Sequence, residues 1–285
     1  MSRTIARGLA AAVSVTCTAR AAAGGDTPRP SRDGAAAPSA LRLEKRTHLD
    51  ARYRVILREF APGVAEVGWS FVSAAAPTKA GRGGSALFLE NQTRAARRAR
   101  SRLRHLVLTL RADHLLTLTY RANVRDFGKA CRDLNKFIRR VRRLKPGWQY
   151  VAVAEEQSRG AWHWHLAVCG RQDAALLRAC WRHVVGEGNI DVSAPGQRGR
   201  NEAMALVRYL GKYISKGFSG GRVLNARRFR SSIGIQVPME SLRLPEEYER
   251  DALSFAIMEL GRRTNSVGFL WHKEDRSAGW ACSWK

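Results

Sequence analysis

From His114 to Tyr120 the chain alternates between apolar and polar or β-branched residues with a period of two, the pattern of a half-buried strand. From Asp126 to Leu144 the period lengthens. Phe127, Ala130, Cys131, Leu134, Ile138, Val141 and Leu144 make one stripe among arginines and lysines, which predicts an amphipathic helix that Pro146-Gly147 ends. Trp148 to Glu156 and Trp162 to Cys169 read as two strands, and Ser158-Arg-Gly-Ala161 as the turn of the hairpin they form. Further on, the pattern predicts a helix over Asp173–Val184, a short strand over Asn189–Val192, a helix over Glu202–Lys216 and a closing strand over Ser232–Val237.

The resulting order, β-α-β-β-α-β-α-β, predicts an α+β fold. A central antiparallel sheet of about five strands is flanked by helices, on a plan related to the ferredoxin-like one. This organised part spans residues 106–240. Residues 1–45, rich in Ala, Gly, Ser, Pro and Arg, read as a disordered tail. Residues 46–105 form a basic extension of unassigned role, in which Val64–Val72 reads as a strand and 94–104 as an Arg-rich helix. Residues 241–285 form a C-terminal extension with one helix expected over Glu246–Leu260, and the last 25 residues carry no clear pattern.

Charge changes the picture. Fifty Lys and Arg against 24 Asp and Glu give +26 and a pI near 11.2. Between Arg94 and Lys145 alone there are 17 Lys/Arg and three acids. Such an excess predicts a polyanionic partner, held through phosphates and released by salt. Five scattered cysteines without a CxxC pair argue against both a disulfide framework and a zinc knuckle, and suggest reduced, cytoplasmic thiols. No apolar run approaches the ~20 residues of a membrane span. The Ala-rich stretch after Arg7 imitates a signal peptide, but it is short and interrupted by Ser14, Thr16 and Thr18.

The candidate chemistry begins at His163-Trp164-His165. On a strand both imidazoles leave one face while Trp162 and Trp164 take the other. A carboxylate waits on the preceding strand, Glu155 or Glu156 according to register. An odd-length loop sets Glu155 opposite a histidine, and a two-residue turn sets Glu156 there. Imidazole nitrogen with carboxylate oxygen suits Mg²⁺ or Mn²⁺. Downstream, Tyr209, Lys212, Tyr213 and Lys216 recur at helical spacing along one edge of the Leu206–Leu210–Ile214 stripe. Taken singly, a His-x-His or a pair of rim tyrosines is commonly structural. Together they suggest an enzyme that cuts single-stranded DNA by covalent attachment. The ion would make phosphorus more electrophilic, a tyrosine would attack, and a lysine would stabilise the developing charge. Arg139, Arg140 and Arg143 are candidate phosphate contacts, as are Arg227, Arg228 and Arg230.

Three segments in this order, Leu116-Thr-Leu-Thr-Tyr120, Glu155 to His165, and Tyr209-Leu-Gly-Lys-Tyr213-Ile-Ser-Lys216, resemble the motifs of HUH endonucleases. Within these the chain is most similar to the rolling-circle replication initiators of small phages and plasmids that carry two tyrosines. The resemblance covers roughly residues 106–237 and implies the RRM-like fold of that superfamily. It also implies a nick in single-stranded origin DNA, a 5′-phosphotyrosyl intermediate, a 3′-OH primer and later rejoining of the ends. It favours Glu155 as third ligand to His163 and His165, and it implies a host polymerase. No GxxxxGK[ST] occurs in the chain, so the helicase would be the host's. A transposase with the same core carries the same motifs. A non-enzymatic nucleic-acid-binding module is the alternative from another class, but its Arg/Lys-Gly-Phe/Tyr signature is missing.

Overall fold

The computed structural model describes residues 53–72, 88–194, 202–219, 229–248 and 251–284. Strands β1 (Tyr53–Ala61) and β2 (Val64–Phe71) form an opening hairpin, and the long helix α1 (Phe88–Thr109) follows. Then come β3 (His114–Tyr120), α2 (Phe127–Leu144), β4 (Val151–Glu156), β5 (Trp162–Val168), α3 (Ala174–Val185), β6 (Gly188–Ser193) and α4 (Glu202–Ser219). The chain closes with β7 (Arg230–Ser231), β8 (Glu240–Leu242), a 3-10 turn at Glu246–Tyr248, α5 (Ala252–Thr264), β9 (Phe269–His272) and β10 (Ala278–Cys282). The fold is α+β, with two five-stranded sheets whose neighbouring strands all run antiparallel.

The central sheet has the order β6-β3-β5-β4-β7. Its residues follow strand parity. Leu116, Leu118, Trp162, Trp164 and Leu166 face α2 and α3, where Leu134, Phe137 and Trp181 complete one core. Leu115, Val151, Val153 and Ala167 face the other way, against Leu103, Leu106 and Val107 of α1 and Leu206, Leu210 and Ile214 of α4. Both indole N–H groups of the His-rich strand are satisfied on the α2 side: Trp162 donates to the Arg125 carbonyl at 2.9 Å and Trp164 to that of Ala130 at 3.1 Å. Leaving them unpaired would cost about 1–3 kcal/mol each, so these bonds help fix which face of β5 turns inward. Asp126 caps α2 by accepting from the Gly128 N–H, and Asp173 caps α3 by accepting from that of Leu176.

The flanking sheet, β8-β1-β2-β10-β9, joins the N-terminal hairpin to strands from the far end of the chain. Its core is built from Val55, Leu57, Val67 and Trp69 against Phe255, Ala256 and Leu260 of α5. Helix α1 stands between the two sheets. Its apolar face meets the central one, while Arg104 and His105 reach Glu66 on β2. One close approach is decisive here. A Cβ at Gly279 would lie 2.0 Å from the Trp69 ring, which is buried and held by its N–H to the Arg276 carbonyl. Gly279→Ala should therefore cost about 1–3 kcal/mol through overpacking. A urea titration should show a lower midpoint, and an unshifted one would contradict the packing.

Three expectations change. The closing strand expected at Ser232–Val237 is the two-residue β7 instead. Past it, the Ser232 hydroxyl accepts from the Tyr150 N–H, and Gly234 at φ +96° turns the chain away from β4. The last helix begins at Ala252 rather than Glu246, because Asp251 caps it by accepting from the Ser254 N–H. The C-terminal residues without pattern form β9 and β10, and the predicted single sheet is accompanied by a second one. The tail expected at 1–45 lies outside the described residues.

Candidate active site

Five residues, 157–161, connect β4 to β5. The turn closes by Gly160 N–H to the Gln157 carbonyl at 2.8 Å and Gln157 N–H to that of Ala161 at 2.9 Å, with Gly160 at φ +80°. That odd length sets the register: Glu155 pairs with His163, and Glu156 with Trp162. Glu155 therefore shares a face with both imidazoles, and its Oε2 lies 2.8 Å from His165 Nε2.

Each imidazole is held at its other nitrogen. His165 Nδ1 lies 3.2 Å from Thr117 Oγ1, and His163 Nδ1 lies 3.3 Å from Gln157 Nε2. Both Nε2 atoms are thereby left for the cleft. His163 Nε2 is buried and has no hydrogen-bond partner among the described residues. Burial lowers the pKa of both rings. For His163 the charges of His165 and Arg159 add to the effect, and for His165 burial outweighs the opposing hydrogen bond to Glu155. Neutral imidazoles are the ligating form.

Helix α4 delivers the tyrosines. Leu206, Leu210 and Ile214 are buried on its inner face, and Tyr209 and Tyr213 come off the adjoining edge, half-buried. The Tyr213 ring stacks on His165 with centroids 4.6 Å apart and planes at 11°. Tyr209 meets His165 edge-on at 5.5 Å and Tyr213 at 5.2 Å. The phenol of Tyr213 is pushed well above its ordinary pKa, first by burial, then by hydrogen bonding to Tyr209 and by the negative charge of Glu155. As it stands, this site keeps the Tyr213 proton in place. Removing the influence of Glu155 would release part of that restraint.

Among the described residues no three His, Cys, Asp or Glu side chains are already arranged about a common point for a metal ion. Glu155 and His165 spend their facing atoms on each other instead. The donor chemistry nevertheless fits a divalent cation. Two Nε2 atoms and a carboxylate share one face, the second ring nitrogens carry outer partners, and one Nε2 is buried without a partner among the described residues.

Other predicted residues fall elsewhere. Lys212 is exposed and lines a groove on the far side of α4 from the imidazoles. The side chain of Lys216 lies outside the described residues, as do Arg227 and Arg228. Arg139, Arg140 and Arg143 border a pocket between α2 and α3, on the opposite face of the central sheet from the histidines. Arg230 reaches Asn135 of α2 at 3.5 Å, on that same side. None of these four arginines joins the His–Tyr cluster. Trp162 and Tyr120, considered as stacking platforms, are core residues at 5% and 6% exposure. Thr117 and Gln157 were missed as partners of the imidazoles. Strand parity could have found both, since Thr117 lies opposite His165 on β3 and Gln157 follows Glu155 by two.

Residues 113–218 match the model of a family of replication-associated proteins of the ORF2 type. The matched stretch runs from just before β3 to the last turn of α4, and so contains His163, His165, Glu155, Tyr209 and Tyr213. It covers just over a third of the chain and leaves out α1 and the whole flanking sheet. This likeness supports a replication-associated protein of the rolling-circle kind. No curated protein and no solved structure matches the chain. No helix among the described residues is long and apolar enough to cross a membrane.

Proposed function

We propose that this chain is a replication initiator that nicks single-stranded origin DNA, with Tyr209 and Tyr213 as nucleophiles and with His163, His165 and Glu155 holding Mg²⁺ or Mn²⁺. The stacking of Tyr213 on His165, beside Glu155, carries the reading: it sets a phenol against the two-imidazole, one-carboxylate donor set. A divalent cation bound there would neutralise a non-bridging phosphate oxygen and offset the carboxylate charge that now holds the phenol protonated. The tyrosine oxygen gives up its proton and bonds to phosphorus. The bond from phosphorus to the 3′ oxygen breaks, and that oxygen takes up a proton as the free 3′-OH. The 5′-phosphotyrosyl link keeps the phosphoester for rejoining without ATP. Two adjacent tyrosines allow one to open the strand and the other to accept the returning end. The 3′-OH would prime a host polymerase, with a host helicase to unwind.

The likeness to a replication-associated family favours an initiator over a transposase with the same core. The tyrosine pair against the imidazoles favours an enzyme over a binding module. His163→Ala or His165→Ala is expected to lower nicking of a labelled single-stranded origin at least about a hundred-fold, with binding of that DNA nearly intact. Nicking by either variant at the unmodified rate would refute the site.

A further inference from the structure

A groove of about 970 Å³ opens between α1, α4 and the flanking sheet. Helix α1 lines it with Arg97, Arg100 and Arg104, helix α4 with Arg208 and Lys212, and β1 adds two more arginines. Among the described residues no acidic side chain lines it. Seven cations around one concave surface form an electrostatic trap for a polyanion. The groove also carries aromatic surface. Trp271 of β9 is 50% exposed at its wall, and Trp280 lies beneath the Arg104 guanidinium at 4.5 Å. Glu66, buried behind the wall, holds Arg104 and the Trp280 N–H in place. An exposed indole among arginines is the combination that stacks unpaired bases while holding their phosphates.

Arg208 and Lys212 place the groove on the same helix as the tyrosines. Lys212 is the immediate neighbour of Tyr213, and Arg208 of Tyr209. A strand leaving the phenols across α4 meets these cations first and the α1 arginines next.

We infer that this groove is a second binding surface, which holds single-stranded DNA adjoining the scissile segment, with Trp271 as a base-stacking platform and the α1 and α4 cations on the phosphates. It rests on the proposed nicking reading only for its direction toward the tyrosines. Its occupancy by a single strand follows from charge and aromatic exposure alone. It also assigns a function to α1 and the flanking sheet, which lie outside the stretch matched to the replication-associated family.

The test is a titration of fluorescent oligothymidylate with full-length protein in EDTA, so that no cleavage intervenes. An Arg97→Gln, Arg100→Gln double variant is expected to bind about ten-fold more weakly than wild type, with a salt slope reduced by roughly one to two. Trp271→Ala should weaken binding roughly five- to ten-fold with its salt slope unchanged. An Arg97→Lys, Arg100→Lys variant keeps the charge and should restore most of the affinity, which separates a phosphate contact from a folding defect. Wild-type affinity and salt slope in the Gln variant would overturn the proposal. So would tighter binding of duplex than of single strand by the unmodified protein. Since EDTA removes the nicking step, loss of the adduct in tyrosine variants leaves this result untouched, and failure here leaves the nicking chemistry standing.

Discussion

Changing Tyr209→Phe and Tyr213→Phe together is expected to abolish the covalent protein–DNA adduct, a loss of roughly a thousand-fold or more, while single-stranded DNA is still retained. Only two oxygens are removed. The rings that stack on His165 and on each other stay, so the fold should lose no more than about 1–2 kcal/mol for the missing hydrogen bonds. The single changes should differ. Tyr213 is the phenol that lies face-on to His165 and hydrogen-bonds near Glu155, so Tyr213→Phe should lose more of the first cleavage than Tyr209→Phe. The measurement is a denaturing gel of labelled single-stranded origin after incubation with Mn²⁺. Full adduct from the double variant would show that another residue is the nucleophile.

The second large effect concerns stability. Glu66 is 1% exposed and tied to Arg104 by a 2.7 Å ion pair, with His105, Arg58 and the Trp280 N–H around it. Burial acts to raise its pKa, but the hydrogen bond with His105 and the charge of Arg104 outweigh burial and bring it from 4.5 down to about 2. A carboxylate with a depressed folded pKa contributes stability that is fully present above its unfolded pKa. That contribution fades as pH falls from about 4.5 toward 2. A shift of this size is worth roughly 3 kcal/mol. Glu66→Gln should therefore cost about 3–5 kcal/mol at neutral pH, since it leaves buried cations uncompensated. In urea titrations the gap between wild type and variant should narrow from pH 5 to pH 2. A gap independent of pH would mean that Glu66 does not carry this charge network.

Much of the central sheet was legible because its signals are local. Period-two parity put Trp162 and Trp164 on one face and His163 and His165 on the other. The Phe127–Val141 stripe defined α2, and Asp126 and Pro146 marked its ends. The choice between Glu155 and Glu156 was not legible, because parity depends on the loop, and the five-residue connection settled the register. The flanking sheet was hidden for a different reason. Its decisive pairing, Ser70 with Ala278 through Glu66 with Cys282, joins segments more than two hundred residues apart, and no local pattern encodes it. β9 and β10 are short and Trp- and Gly-bearing, with too few positions to display a period. The arginines of α1 read as a generally solvated helix. Only the fold shows that Arg97, Arg100 and Arg104 share a groove with Arg208 and Lys212. Conversely, the Arg139–Arg143 run is dense in sequence yet lies across the sheet from the histidines, because α2 buries its stripe on the tryptophan face.

The most direct measurement traps the protein on labelled single-stranded origin DNA with Mn²⁺, digests it, and identifies the nucleotide-bearing peptide by mass spectrometry. A phosphodiester on Tyr209 or Tyr213, formed with Mn²⁺ and blocked by EDTA, is the predicted result. A DNA-linked peptide from elsewhere in the chain, or strand cleavage that leaves no linked peptide, would contradict it.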